Sequence, residues 1–218
     1  MNIDKFDILK LLFSSDDSEI SWHPAEVKHF GPKKRSLSFY SEVNRESSLA
    51  LISQLLELDS ESNEPIRLYI NTEGGSLTDG FAIYDTIKNI TAPVVGIVSG
   101  LCASAGLIIL SACDYRMTTP NSIFFYHQPI LPFEMISSKL EINSLNSFYE
   151  NIQERADSMI KKRAKMKAKK WNQFFKNKTS FYFDAEQACD LSIVDTIIDN
   201  DKPEFTFVFE EEDEDEED

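Results

Sequence analysis

The residues best suited to chemistry lie between Gly74 and Pro129, a stretch that holds six of the seven glycines and one of the three histidines. Ser104 follows a turn at Gly100 and opens an apolar segment, and His127 ends the apolar strand that comes next. A neutral serine is a poor nucleophile and needs an adjacent base, for which a histidine is the commonest choice. The pair therefore predicts a serine hydrolase site.

Such a site also needs donors for the negative charge that develops on the attacked carbonyl oxygen. The first N–H groups of a helix have no partner within it, and a helix is expected over 105–112, directly after Ser104. The turn at Gly74–Gly75 offers a second source of donors. Taken singly, Ser104 would be a small residue at a helix start and His127 an ordinary core histidine. Together with the glycine turn, they favour the hydrolase interpretation.

Alternating strands and helices are expected to position these residues. Short apolar strands are predicted over 66–70, 94–98 and 123–126, with helices beginning near Ser76 and over 105–112. This alternation is typical of an α/β fold with parallel strands, where functional groups gather at the strand C-termini. The predicted apolar faces are Leu49, Ile52, Leu55 and Leu56 on a helix from Glu46, and Leu77, Phe81, Tyr84 and Ile87 on the helix after Ser76.

A long helix follows the catalytic stretch. Ser138–Glu141 forms its capping box, and its predicted apolar face is Ile142, Leu145, Phe148 and Ile152. Seven of the ten residues from Lys161 to Lys170 are basic, which favours a solvated helix end over a nucleic-acid or acidic-partner patch. Asp184 is expected to cap a last short helix, and 193–198 to form a terminal strand.

Composition excludes several classes of protein. The net charge of −15 argues against general nucleic-acid binding, although nine consecutive acids, Glu210–Asp218, account for much of it and suggest a disordered, solubilising tail. Three cysteines without a CxxC spacing indicate neither a disulfide framework nor a zinc site. The acidic N-terminus and the absence of a long apolar run predict a soluble, cytoplasmic chain without signal peptide or membrane span.

From about Arg67 to Asp195 the sequence resembles the proteolytic subunit of the Clp protease, the ClpP family of self-compartmentalising serine peptidases. Several short segments carry the resemblance in the expected order. They are Leu68–Asn71, Gly74–Ser76, Ala82–Asp85, Gly100–Gly106, Pro120–Ser122, His127–Pro129 and Ala185–Ala188 with Ile193–Asp195.

The resemblance implies an α/β fold, the spiral of βαβ units that ClpP shares with crotonases, with the helix from Ser138 as a protruding handle. It implies a peptidase domain over 36–200, between a divergent segment 1–35 and an acidic tail 201–218. It also implies Ser104 as nucleophile, His127 as general base, and the N–H groups of Gly75 and Ala105 as the oxyanion hole, with no cofactor or metal. Two stacked rings of seven copies would enclose the sites, and an AAA+ unfoldase ATPase would be the usual partner.

Several positions depart from the family pattern. The position of the third catalytic residue, normally an aspartate, falls on Ser180, and Asp184 is the alternative four residues on. Two aromatic positions of the ATPase docking cleft are Arg67 and Asn89, although Tyr69 is kept. The segment 1–35 lacks the usual axial-pore pattern, and 131–133 reads Leu-Pro-Phe where the family has a glycine pair.

Three functions remain open at this point. The first is a serine endopeptidase that cleaves peptides or unfolded proteins inside an oligomeric chamber in ATP-dependent proteolysis. The second, favoured by Ser180, is a weakened or non-catalytic ring subunit that assembles with an active paralogue. The third is a crotonase-type acyl-CoA enzyme, which the Ser104–His127 pair disfavours because that chemistry needs no serine nucleophile.

Overall fold

The computed structural model describes residues 35–128, 139–164, 168–172 and 180–198, with the side chains of 139–146, 168 and 170 outside the description. The expectations for 1–34, Ser138, the Leu-Pro-Phe segment, the Ile142 and Leu145 side chains and the acidic tail therefore lie outside the described residues. The elements in chain order are β1 (Ser36–Phe39), α1 (Arg45–Glu61), β2 (Ile66–Thr72), α2 (Leu77–Asn89), β3 (Val94–Ala103), α3 (Ala105–Ala112), β4 (Tyr115–Thr118), β5 (Ile123–His127), α4 (Lys139–Arg163), α5 (Ala168–Trp171), β6 (Ser180–Asp184), α6 (Ala185–Asp190) and β7 (Thr196–Ile197).

The described strands form a mixed sheet. Its main path runs β1-β2-β3-β4-β7 with every pair parallel, as the βαβ alternation predicted. Strand β5 leaves this path: it pairs in parallel with the end of β3 and antiparallel with β6. Among the described strands, the β5–β6 pair is therefore a ribbon attached to the main sheet through β3.

Strand β3 changes partner along its length. Its first half pairs with β4 and its last three residues, 101–103, pair with β5. Gly100, with φ of +113°, lies between the two halves, where an added Cβ would meet Asn71 Oδ1 at 2.9 Å. The same Asn71 oxygen accepts a hydrogen bond of 2.9 Å from the Leu101 N–H. Gly100 and Asn71 thus direct the end of β3 toward Ser104 and β5.

Helix α1 buries a different face from the one predicted. Its core residues are Ser47, Ser48, Leu51, Leu55 and Leu58, whereas Leu49 and Leu56 are 64% and 51% exposed. The capping box between Asn44 and Ser47 fixes where the helix begins, and the Ser47 hydroxyl also donates to the Glu42 carbonyl. Two small serines consequently face the core, and only Leu55 of the predicted face is fully buried there.

Helix α2 is also rotated relative to the prediction. Ser76 caps it as expected, by accepting from the Asp79 N–H, but its buried residues are Gly80, Ile83 and Ile87. Leu77, Phe81 and Tyr84 are only half-buried at the core's edge. The reason is the close crossing with α3, where a Cβ on Gly80 would lie 3.4 Å from that of Ala105.

Other elements agree with the sequence to different degrees. All eight residues of α3 are buried, and Asp184 caps α6 as predicted. Strands β1 and β4 were not predicted, and the terminal strand expected over 193–198 is confined to Thr196–Ile197. None of the helices in the described ranges has the length and apolar character needed to cross a membrane.

Candidate active site

Ser104 lies at the sharp turn between β3 and α3. Its φ of +53° and ψ of −117° put a non-glycine residue in a sparsely populated region, which structures tolerate mainly where function requires it. Its N–H donates to the Phe125 carbonyl at 2.8 Å, which ties the turn to β5. The side chain is half-buried and makes no capping hydrogen bond, so its hydroxyl does not bind the first N–H groups of the helix.

The Gly74–Gly75 turn packs directly against this serine. A Cβ on Gly74 would lie 2.6 Å from Ser104 Cβ and 3.0 Å from the Ala105 nitrogen, so only glycine fits. Gly75 forms a parallel bridge with Val43 that uses the Gly74 carbonyl and the Ser76 N–H, which leaves the Gly75 N–H out of the bridge. Ala105 is the first residue of α3, so its N–H has no partner within the helix.

His127 is the last residue of β5 and is half-buried. Its Nδ1 lies 2.8 Å from the backbone carbonyl oxygen of Gln128. A carbonyl can only accept, so Nδ1 carries the hydrogen and the neutral ring keeps its Nε2 lone pair. Phe125 stacks on the imidazole with the ring centroids 5.4 Å apart. The ring is thus held in a tautomer that leaves Nε2 able to accept a proton.

The β5–β6 register places the two candidates for a third catalytic residue. Ser180 pairs directly with His127, and directly opposed residues of an antiparallel pair project from the same face. Asp184 pairs with Ile123 at the other end of the strand, and its carboxylate accepts from the Gln187 N–H at 2.8 Å as the cap of α6. A hydroxyl therefore lies opposite the histidine, and the candidate carboxylate is already used at the far end of the strand.

A cavity of about 430 Å³ brings Ser104, His127 and Gly75 together. Helices α2, α3 and α4 supply most of its remaining wall. The apolar wall residues are Leu77, Ile108, Phe148, Ile152, Ala156 and Ile160. Among the described residues that line it, none is Asp, Glu, Lys or Arg, which suits the cavity to an uncharged or apolar side chain of a bound chain.

A polar group at the wall of the cavity was not foreseen from the sequence. The Tyr126 hydroxyl donates to Asp157 Oδ1 at 2.6 Å and accepts from Gln153 Nε2 at 2.8 Å. Burial and the hydrogen bond to the Asp157 carboxylate raise the pKa of Tyr126, which keeps it protonated as the donor. The group fastens α4 to β5 one residue before His127. Two features of the sequence could have predicted this group. Tyr126 and His127 end an apolar strand, and Gln153 and Asp157 are spaced i, i+4, which puts both on one face of a helix.

An ionic group fastens the last turn of α4. Arg116 is 3% exposed and contacts the Asp195 carboxylate through Nε at 3.0 Å and Nη2 at 2.6 Å. Arg163, on the last turn of α4, lies 3.7 Å from the same carboxylate and donates to the Cys113 and Asp114 carbonyls. Burial tends to raise the pKa of Asp195, but the hydrogen bonds and charge of Arg116 outweigh it, so this pKa is lowered.

Two of the three cysteines, Cys102 and Cys113, offer no alternative nucleophile. Cys102 and Cys113 are fully buried, and burial raises the pKa of Cys113 to about 12, which leaves an inert thiol. Among the same residues no group of three or more His, Cys, Asp or Glu side chains is arranged to hold a metal ion.

Comparison with known proteins places this geometry in a family. The family model described as Clp protease matches residues 26–201. The ATP-dependent Clp protease proteolytic subunit 3 of Parasynechococcus marenigrum is 35% identical over 169 residues, covering 76% of this chain and 82% of that protein. The ATP-dependent Clp protease proteolytic subunit 2 of Treponema denticola is 40% identical over 113 residues, half of this chain and 56% of its own.

Among solved structures, a point mutant of ClpP1 from Listeria monocytogenes superposes with a TM-score of 0.66 at 31% identity. The match covers 77% of this chain and 92% of that one. The fold is therefore the ClpP fold, and the chain belongs to the Clp protease family.

Proposed function

We propose that this chain is a serine endopeptidase that cleaves peptides or unfolded proteins, with Ser104 as nucleophile and His127 as general base. The observation that carries the proposal is the strained turn at Ser104, which leaves a hydroxyl without a capping hydrogen bond in the same cavity as His127. A serine held at positive φ with no capping role has no evident purpose in the fold. Nucleophilic catalysis gives it one.

The catalytic cycle uses groups that the cavity already collects. As the Ser104 hydroxyl attacks the scissile carbonyl carbon, Nε2 of His127 accepts its proton. The N–H groups of Gly75 and Ala105 bind the resulting oxyanion. The imidazolium then protonates the leaving amine, and an acyl group remains on Ser104. A water molecule, deprotonated by the same nitrogen, releases the acid and restores the serine.

The weakened or non-catalytic ring subunit is the second candidate, and the β5–β6 register favours it. Ser180, paired with His127, can accept a hydrogen bond but cannot stabilise an imidazolium as a carboxylate does. Loss of that carboxylate from a Ser–His–Asp triad costs on the order of 10⁴ in turnover. The Gln128 carbonyl orients the imidazole ring but has no negative charge to stabilise the imidazolium. We expect slow turnover rather than none.

Assembly and partners follow from the family in the same proposal. Copies of the chain would form stacked rings of seven with α4 as the handle between rings, in the cytoplasm. An unfoldase ATPase would deliver substrates. Arg67 and Asn89 are polar where an apolar anchor would dock, and the Asn89 side chain donates to its own helix at the Asp85 carbonyl. Tyr69 beside them is half-buried, so any such docking would rely on a less apolar cleft.

A serine-reactive phosphonate ester, with a peptide group for the cavity, tests the proposal. We expect it to label the purified chain at Ser104, and expect Ser104→Ala and His127→Ala each to remove labelling and fluorogenic-peptide hydrolysis while the oligomeric mass is unchanged. Ser76→Ala is the matched control, because Ser76 lines the same cavity but serves as a helix cap. Hydrolysis that persists in Ser104→Ala protein would contradict the assignment. Labelling without turnover would favour the non-catalytic subunit.

A further inference from the structure

The last turn of α4 presents cations that no carboxylate of the described residues neutralises. Lys162 is exposed and Lys161 half-buried, and Lys169 on α5 is exposed as well. The ion pairs formed by described residues involve Arg35, Lys88, Arg116 and Arg163, so these three lysines have no ion-pair partner within the described ranges. We name Lys161, Lys162 and Lys169 the basic end of the helical region.

The chain returns to this place at its C-terminal side. Asp195 lies 3.7 Å from Arg163, the residue that follows Lys162, and its N–H donates to the Arg116 carbonyl at 2.8 Å. The last described residue, Ile198, donates to the Thr118 carbonyl at 2.8 Å and is thereby fixed to β4. One carboxylate of the C-terminal region thus already contacts the last turn of α4. The sequence beyond Ile198 therefore starts three residues, about 10 Å of extended strand, from the contact with Arg163.

The remaining sequence carries the complementary charge. Residues 210–218 are nine consecutive acids, and eleven residues, 199–209, separate them from Ile198. Twelve peptide units span up to about 40 Å when extended. A random coil of that length has a typical end-to-end distance of about 20 Å. Lysines near Arg163 are within that reach, and the short connection gives the tail a local concentration on the order of millimolar.

We propose that the acidic run Glu210–Asp218 binds the basic end of its own chain. The contact is electrostatic: several carboxylates exchange among Lys161, Lys162 and Lys169 rather than forming one fixed pair. Single exposed ion pairs contribute little, but nine acids that exchange among several lysines act as a network at low salt. The contact is independent of the catalytic assignment, since none of the three lysines lines the cavity.

Zero-length carbodiimide cross-linking of the full chain tests the contact, because this reagent joins a carboxylate to an amine only where the two touch. Oligomers are refolded from an equal mixture of unlabelled and heavy-nitrogen chains, and the cross-linked peptides are identified by mass spectrometry. We expect tail carboxylates joined to Lys161, Lys162 or Lys169 of the same isotopic label. Their yield should fall at least about fivefold in roughly 0.5 M sodium chloride, where charges are screened within a few ångströms. It should disappear when the tail acids are replaced by the corresponding amides.

Two comparisons make the result decisive. The double substitution Lys161→Gln and Lys162→Gln should reduce the tail cross-links severalfold. The matched control Lys88→Gln should leave them unchanged, because Lys88 lies on α2 and is paired with Asp114. Tail cross-links spread over other exposed lysines, Lys88 included, would overturn the proposal. Random pairing between copies in an equal mixture gives mixed label in half of the products. A mixed-label share that approaches half would therefore overturn the proposal too, because it would show the tail bound to a neighbouring copy.

Discussion

At the scale of single residues, the site combines a strained serine with a histidine whose orienting partner is a backbone carbonyl. Ser104 has a positive φ that only a tightly constrained turn maintains, and Gly74 supplies the constraint because any side chain there would collide with it. His127 has its Nδ1 satisfied by Gln128 rather than by a carboxylate. Ser104 thus has the constrained backbone that the proposed nucleophile needs, whereas the partner of His127 Nδ1 is an uncharged carbonyl.

Restoring a carboxylate opposite His127 should raise activity. We expect Ser180→Asp to increase kcat by about 100-fold or more, since the triad carboxylate accounts for on the order of 10⁴ in turnover. KM should change little, because Ser180 is exposed and does not line the cavity. The measurement is steady-state hydrolysis of a fluorogenic peptide. Ser180→Asn is the matched control, similar in size but without charge.

Asp184 should behave as a structural residue in the same assay. Asp184→Ala removes the cap of α6 and should lower the free energy of unfolding by about 1 kcal/mol while the pH–rate profile keeps its shape. If Asp184→Ala abolishes turnover at unchanged melting temperature and Ser180→Asp has no effect, the register that pairs Ser180 with His127 is not the catalytic one.

At the scale of elements, α4 is fastened at two places in its C-terminal half, which also lines the cavity. The Tyr126 group holds its middle to β5, and Arg163 holds its last turn to Asp195 and to the chain before β4. Ala156 and Ile160, which line the cavity, lie between or beside these points. Changes at Asp195 should therefore affect the stability of the whole arrangement.

The Asp195 pair predicts a defined pH dependence. Its pKa is lower in the folded chain than the unfolded value of about 3.9, so its contribution is complete above that value and is lost as pH falls through the folded pKa. We expect Asp195→Asn to lower the free energy of unfolding by about 2 kcal/mol at pH 7, less than a fully buried pair because a quarter of Asp195 is exposed.

Urea titrations at fixed protein concentration measure this effect. The difference between the parent and Asp195→Asn should shrink as pH is lowered below about 4. Glu154→Gln is the control, since Glu154 is exposed and has no ion pair within the described ranges. An equal difference in neutral and in strongly acidic buffer would show that the ion pair is not the source of the stability.

At the scale of the whole molecule, one chain leaves several large apolar side chains in water. Tyr182 is 67% exposed, Phe148 54% and Ile123 50%, in addition to Leu49 and Leu56 on α1. Large apolar side chains grouped on a protein surface usually mark an interface, and here Ile123 and Tyr182 lie on the paired strands β5 and β6. The predicted stripe on α4 is described only from Phe148 onward, and Phe148 agrees with it.

We therefore expect an oligomer of about 350 kDa by light scattering, fourteen times the 24.9 kDa of one chain. Phe148→Asp should lower that mass by placing a charge on the exposed part of α4. Asn151→Asp on the same helix adds the same charge at an exposed polar position and should not. A single-chain mass for the parent at micromolar concentration would contradict assembly.

The sequence predicted the parallel sheet and the proximity of Ser104, His127 and Gly75. Apolar runs mark buried strands, and glycines mark the tight turns that follow them, so both can be read from residue types alone. The sequence did not predict which faces of α1 and α2 are buried. Leucines lie on both the buried and the exposed side of α1, and the closest contact of α2 is made by a glycine, which carries no apolar signal. The sequence also missed the Tyr126–Gln153–Asp157 group, which depends on how α4 crosses β5. Such contacts are set by tertiary packing, and the i, i+4 spacing of Gln153 and Asp157 alone does not say which strand they contact.

The change of partner along β3 has a consequence for the energetics of local opening. The ribbon of β5 and β6 is joined to β3 through three residue pairs and one further hydrogen bond at Ser104, whereas β2 pairs with β3 along nearly its whole length. Tyr126 also ties the ribbon to α4, and we expect its partial unfolding, with those hydrogen bonds broken, to require less free energy than global unfolding. We therefore expect the amides around His127 to exchange faster than those around Ser104. A partly opened state without His127 in place would keep the serine turn and most of the core intact.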